Sequence, residues 1–61
     1  MSGMTDFIIH RGHKICVIEA KTYVGQRWLE RERNGNTEIG TEYLEDFIKA
    51  LQEKGYEVEV I

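Results

Sequence analysis

The spacing of apolar residues changes along the chain, and each change predicts an element. Asp6 to Ile9 is a short β-prone run, and Arg11-Gly12-His13 reads as the turn that ends it. From Lys14 to Val24 the even positions Cys16, Ile18, Ala20, Thr22 and Val24 are small or apolar. The odd positions begin apolar with Ile15 and Val17 and become polar at Glu19, Lys21 and Tyr23. Period-two alternation of this kind predicts a strand with one core face and one face that is apolar only at its start. Gly25 allows a bend. Arg27, Leu29, Arg31 and Arg33 then share one parity, and Trp28, Glu30 and Glu32 the other. Leu, Glu and Arg are good helix formers, so a helix over Gln26 to Arg33 stays open. The Asn34-Gly35 pair behind them is the commonest two-residue hairpin signal and favours a strand.

The second half is plainer. Thr41 is placed to cap a helix, with Glu42 and Glu45 in its first turn where the helix dipole favours acids. Tyr43, Leu44, Phe47, Ile48 and Leu51 recur at helical spacing, and Gly55 after Lys54 is a stop signal. Tyr56, Val58 and Val60 alternate with Glu57 and Glu59 as a short final strand. The expected fold is therefore α+β. It is a small antiparallel β-sheet of three to four strands with one C-terminal amphipathic helix and a short final strand.

Sixty-one residues accommodate one domain, taken as residues 4–61, with 1–3 read as a frayed end or cloning remnant. A chain this short buries only about 60% of its unfolded surface. An enclosed substrate pocket would consume much of such a core, which weighs against an enzyme and for a binding module. Small domains often need a staple. The lone Cys16 forms no internal disulfide, which fits a reducing, cytoplasmic compartment and leaves homo-oligomerisation as the expected support. No apolar run approaches a membrane span, and no leader pattern precedes the first strand. The net charge of −3 is unevenly spread: residues 1–33 carry six Lys/Arg against four Asp/Glu, and residues 34–61 two against seven. Nucleic-acid binding by such a chain must come from a local basic strip.

His10, His13 and Cys16 recur every three residues, but no second pair of ligands completes a zinc site, and a three-residue step along a strand alternates faces. Cys16 among apolar strand residues reads as a small core hydrophobe, not a nucleophile. No metal, cofactor or catalytic residue is expected. Lys21 to Arg33 interleaves cations with two aromatics, the pairing that single-strand binders use: cations follow the backbone and exposed rings stack on bases. The competing assignment makes Trp28 a core anchor and the Arg/Glu alternation a set of cross-strand ion pairs.

Tyr23-Val24-Gly25, then Trp28 to Arg31, Asn34-Gly35, and Thr37-Glu38-Ile39-Gly40 leading into Leu44, Phe47, Ile48 and Leu51 resemble the PC4-like family (transcriptional coactivators of the p15 type and their phage and bacterial relatives). The resemblance spans about residues 7–54. It implies a curved antiparallel sheet, dimerisation through the helix, a role in transcription regulation, and single-stranded DNA held by Lys21, Tyr23, Arg27, Trp28, Arg31 and Arg33. The family's lysines around the Thr-x-x-Gly step are replaced here by Glu38 and Ile39, and Tyr56 to Ile61 has no place in its pattern.

Two functions are thus expected in order, ahead of a third option, a homo-oligomer paired through an open sheet edge at residues 56–61. The first is a dimeric, non-enzymatic single-stranded nucleic-acid-binding domain. The alternative is a small interaction or inhibitor domain that binds a basic protein through acids at Glu38, Glu42, Glu45, Asp46, Glu57 and Glu59. They differ at Trp28: exposed beside the arginines for the first, buried for the second.

Overall fold

The computed structural model describes residues 4–61, and the expectation for residues 1–3 lies outside the described residues. Strands β1 (Phe7–His10) and β2 (Ile15–Ala20) form the expected hairpin, with Phe7 opposite Ala20 and Ile9 opposite Ile18. Helix α1 (Tyr23–Arg33) follows, then β3 (Glu38–Gly40), a 3-10 turn (Thr41–Tyr43), helix α2 (Leu44–Glu53) and β4 (Val58–Val60). The sheet order is β3-β2-β1-β4.

The sheet is mixed, not wholly antiparallel, and there are two helices, not one. β4 lies parallel to β1, with Val58 beside Phe7 and Val60 beside Ile9. A parallel neighbour needs a crossover, and α2 supplies it by carrying the chain from the β3 edge to the opposite edge. The second correction falls on residues 21–33, where the end of the Lys14–Val24 strand, a bend at Gly25 and a strand over Gln26 to Arg33 were expected. Thr22 keeps an extended backbone while its hydroxyl accepts from the Gly25 N–H at 3.0 Å, the geometry of a helix N-cap. Gly25, Trp28 and Leu29 are buried together. Adjacent residues cannot both face one side of a strand, but i, i+3 and i+4 share one side of a helix. Asn34 then takes a left-handed conformation (φ 53°) and ends α1, so the Asn-Gly pair closes a helix and not a hairpin.

The remaining expectations for α2 and β4 hold in outline. Gly55 (φ 95°) ends α2 as expected, whereas Thr41 does not cap it. The Thr41 hydroxyl donates instead to the Gly12 carbonyl at 3.4 Å, and a 3-10 turn precedes the helix. Phe7, Ile9, Cys16 and Ile18 project from one face of the sheet into a core completed by Trp28, Leu29, Leu44 and Leu51. Both helices therefore cover that face. The other face is open and carries exposed Ile15 and Val17, the half-apolar face read in the sequence.

One buried polar residue joins these parts. Asp6, 1% exposed, accepts from the Thr22 hydroxyl and from the Glu57 N–H, each at 2.9 Å. Its own N–H donates to the Glu57 carbonyl at 2.9 Å, and its carbonyl accepts from the Lys21 N–H at 2.7 Å. Only glycine fits at position 25, because a Cβ there would stand 2.8 Å from the Asp6 carbonyl oxygen. Asp6→Ala leaves the part-buried Thr22 hydroxyl and Glu57 N–H without their acceptor. At about 1–3 kcal/mol for each such group, the lower part applying where water can reach it, urea melts should show a loss of about 2–4 kcal/mol. A loss below about 0.5 kcal/mol, the size of an ordinary surface change, contradicts this role.

Candidate functional site

The helical fold of residues 23–33 disperses the expected nucleic-acid strip. Trp28 is only 8% exposed and packs edge-to-face on Phe7, Phe47 and Tyr56, with ring centroids 5.6, 5.9 and 6.2 Å away. Its ring is a core anchor and is not available to stack on a base. Arg33 is half-buried and turned inward. Its Nε donates to the Asn36 carbonyl at 3.2 Å, its Nη2 to the Glu38 carbonyl at 2.9 Å, and its guanidinium lies 5.4 Å from the Phe47 ring. Arg31 pairs with Glu32 at 3.2 Å, and Lys21 reaches Glu19 at 3.5 Å. Tyr23, 74% exposed, and Arg27 remain together on the outer face of α1, joined by a 3.1 Å hydrogen bond from Arg27 Nη1 to the Tyr23 hydroxyl.

The residues considered for a metal separate. Cys16 is buried on the helix side of the sheet, with Sγ 3.7 Å from the Thr41 hydroxyl. His10 stands on the open side and meets Glu19 at 2.8 Å. This hydrogen bond, followed by the charge of Lys21, holds the Glu19 carboxyl below the usual carboxylate range.

The acidic residues also divide. Glu57 and Glu59 accompany β4, while Glu38, Glu42, Glu45 and Asp46 gather at the opposite edge, around β3 and the start of α2. Of that second group, Glu38 and Asp46 border a shallow groove of about 520 Å³ lined also by Arg33, Ile39, Tyr43 and Phe47, with Gly40 completing it. The half-buried Ile39 and Phe47 give it apolar surface. Tyr43, 58% exposed, lies close against Gly40, whose absent side chain leaves the room: a Cβ there would meet the ring at 3.3 Å. Arg33 holds the groove's shape by tying the end of α1 to β3 and covering Phe47. None of the ion pairs among the described residues engages Glu38, Glu42, Glu45 or Asp46.

Sequence reasoning named Glu38 and Asp46 but missed Tyr43 and Phe47 as surface-forming residues, because both fit the helix's apolar stripe. No family model matches the chain, and no curated protein or solved structure matches it. No helix among the described residues is long and apolar enough to cross a membrane.

A core role for Trp28 has a direct consequence. Trp28→Ala should cost about 3–5 kcal/mol, against a total stability of about 3–9 kcal/mol for a domain of this length. Far-UV circular dichroism during a urea melt should find the variant largely unfolded. A native-like midpoint contradicts the packing described.

Proposed function

We propose that this chain is a non-enzymatic protein-interaction domain whose acidic groove between β3 and α2 receives a basic side chain of a partner protein. The observation that carries this reading is one groove that joins the apolar surface of Ile39, Tyr43 and Phe47 to the exposed Asp46, while Glu38, paired with Val17, adds its charge from the open side of the same sheet edge. Lysine and arginine have the complementary form, an apolar stem with a charged head. The exposed Tyr43 ring supports the same assignment, since a cation over a tyrosine face gains about 0.5–2 kcal/mol, the more so as it loses water. Excess acid in this half of the chain steers a basic partner towards the groove and repels a polyanion.

A second reading, single-stranded nucleic-acid binding, keeps one specific support: the Tyr23–Arg27 pair, with the ring free to stack and a cation beside it. Lys21 and Arg31 are the other exposed cations that this reading uses, and the PC4-like resemblance belongs with it. It ranks below the first because Trp28 is buried and Arg33 is occupied within the fold.

Fluorescence anisotropy with a labelled Lys/Arg-rich peptide and with a labelled oligothymidylate separates the two. The peptide should bind, more weakly as salt rises. Asp46→Lys should weaken it by about tenfold, about 1.4 kcal/mol, while lowering stability by no more than about 1 kcal/mol, because Asp46 is exposed but sits in the first turn of α2 where the helix dipole favours an acid. Oligothymidylate binding that Tyr23→Ala abolishes, with no peptide binding, overturns the first reading in favour of the second.

A further inference from the structure

The two edges of the sheet are finished differently. At β3, Glu38 turns its main-chain groups away from β2, and local side chains occupy both: Arg33 donates to its carbonyl at 2.9 Å, and its N–H donates to Asn36 Oδ1 at 3.1 Å. At β4 nothing comparable is found among the described residues. The Glu57 carbonyl accepts from Phe7 at 3.1 Å and the Ile61 N–H donates to Ile9 at 3.0 Å, so Glu57, Glu59 and Ile61 face β1. By the alternation of a strand, Val58 and Val60 turn their N–H and C=O groups outward, on the free side of a sheet that ends at β4.

Side chains at this edge limit what can pair with it. Val58 and Val60 are half-buried and point to the helix side, where they pack against the core. Glu59, opposite Ile8 in the sheet, is exposed on the open side. If a second copy of β4 paired antiparallel about its centre, Glu59 would sit directly opposite its own counterpart, and like charges so placed are destabilising. A strand with lysine or arginine at that position meets the opposite condition, and apolar neighbours on either side extend the surface of Val58 and Val60.

We infer that the β4 edge accepts an extended segment of a partner protein as a fifth strand. A basic residue of that segment lies opposite Glu59, and apolar residues alternate with it on the helix side. Main-chain hydrogen bonds to Val58 and Val60 supply affinity, and Glu59 supplies selection. This surface is separate from the β3 groove and stands whether or not the groove binds a partner.

The probe is a short peptide of alternating valine and lysine, titrated into the whole chain by calorimetry. Val58→Pro removes an outward N–H while sparing the ladder to β1, a position where a strand tolerates proline. It should weaken binding by about tenfold or more, the scale of one or two lost hydrogen bonds. Trp28 fluorescence should stay unchanged, showing that the fold is kept. Glu59→Lys should weaken binding as well, and Asp46→Lys, in the groove, should leave it alone. A peptide N-methylated on the amides that face β4 should fail to bind the Asp46→Lys chain, whose groove no longer takes lysine, which keeps the test decisive if the proline variant does not fold. Binding to the Asp46→Lys chain that survives N-methylation overturns the inference. So does binding lost only in Asp46→Lys, or a concentration-dependent dimer that Val58→Pro abolishes while the peptide does not bind.

Discussion

The buried carboxylate of Asp6 is the constraint from which the other positions in this small fold follow. A carboxylate taken from water is costly unless its oxygens are matched by donors, and here one oxygen takes the Thr22 hydroxyl and the other the Glu57 N–H. Those partners belong to segments far apart in the chain: the start of α1 and the turn before β4. Thr22 in turn accepts from Gly25, so the first turn of α1 is fixed against β1 through a single side chain. With the helix start set, its rotation is set. Trp28 and Leu29 face the sheet, and Tyr23 and Arg27 face water.

Burial of Trp28 decides where interaction surfaces can lie. The ring completes an aromatic cluster with Phe7, Phe47 and Tyr56, drawn from β1, α2 and the segment leading into β4. These contacts join the elements that Asp6 joins by hydrogen bonds and add α2 to them. Arg33 extends the arrangement at the far end of α1, where it covers Phe47 and satisfies the outer carbonyl of β3. Two of the six cations and aromatics that looked like a binding strip thus belong to the fold. What remains accessible is the acidic groove beside β3, the open edge at β4, and the Tyr23–Arg27 pair on α1.

Much of the fold was legible because its signals were local. The β1–β2 hairpin, the stripe Leu44, Phe47, Ile48, Leu51 and the Gly55 stop each follow from spacing or a backbone preference. Helix α1 was not, since its Arg/Glu alternation imitates a strand and Asn34-Gly35 serves equally well as a hairpin turn or a helix end. The adjacent apolar pair Trp28-Leu29, with Gly25 a turn earlier, was the contrary sign. Pairing across the sheet was beyond reach for a different reason. Nothing in Val58-Glu59-Val60 says whether it runs parallel or antiparallel to its neighbour, and that depends on where α2 returns the chain. The acidic surface suffered the same way: six acids close in sequence proved to lie at opposite edges. Asp6, a polar residue before a strand, carries no mark of its burial.

The most direct test of this account is amide hydrogen exchange in Thr22→Val. That substitution keeps the extended backbone and the size of the side chain but removes the hydroxyl that links Asp6 to Gly25. If Asp6 couples α1 to β4, protection should fall at the Gly25 amide and also at the Glu57 amide, which Thr22 does not bond and which lies far along the chain. Loss confined to Gly25, with Glu57 protected as before, would contradict the coupling and reduce Thr22 to an ordinary helix cap.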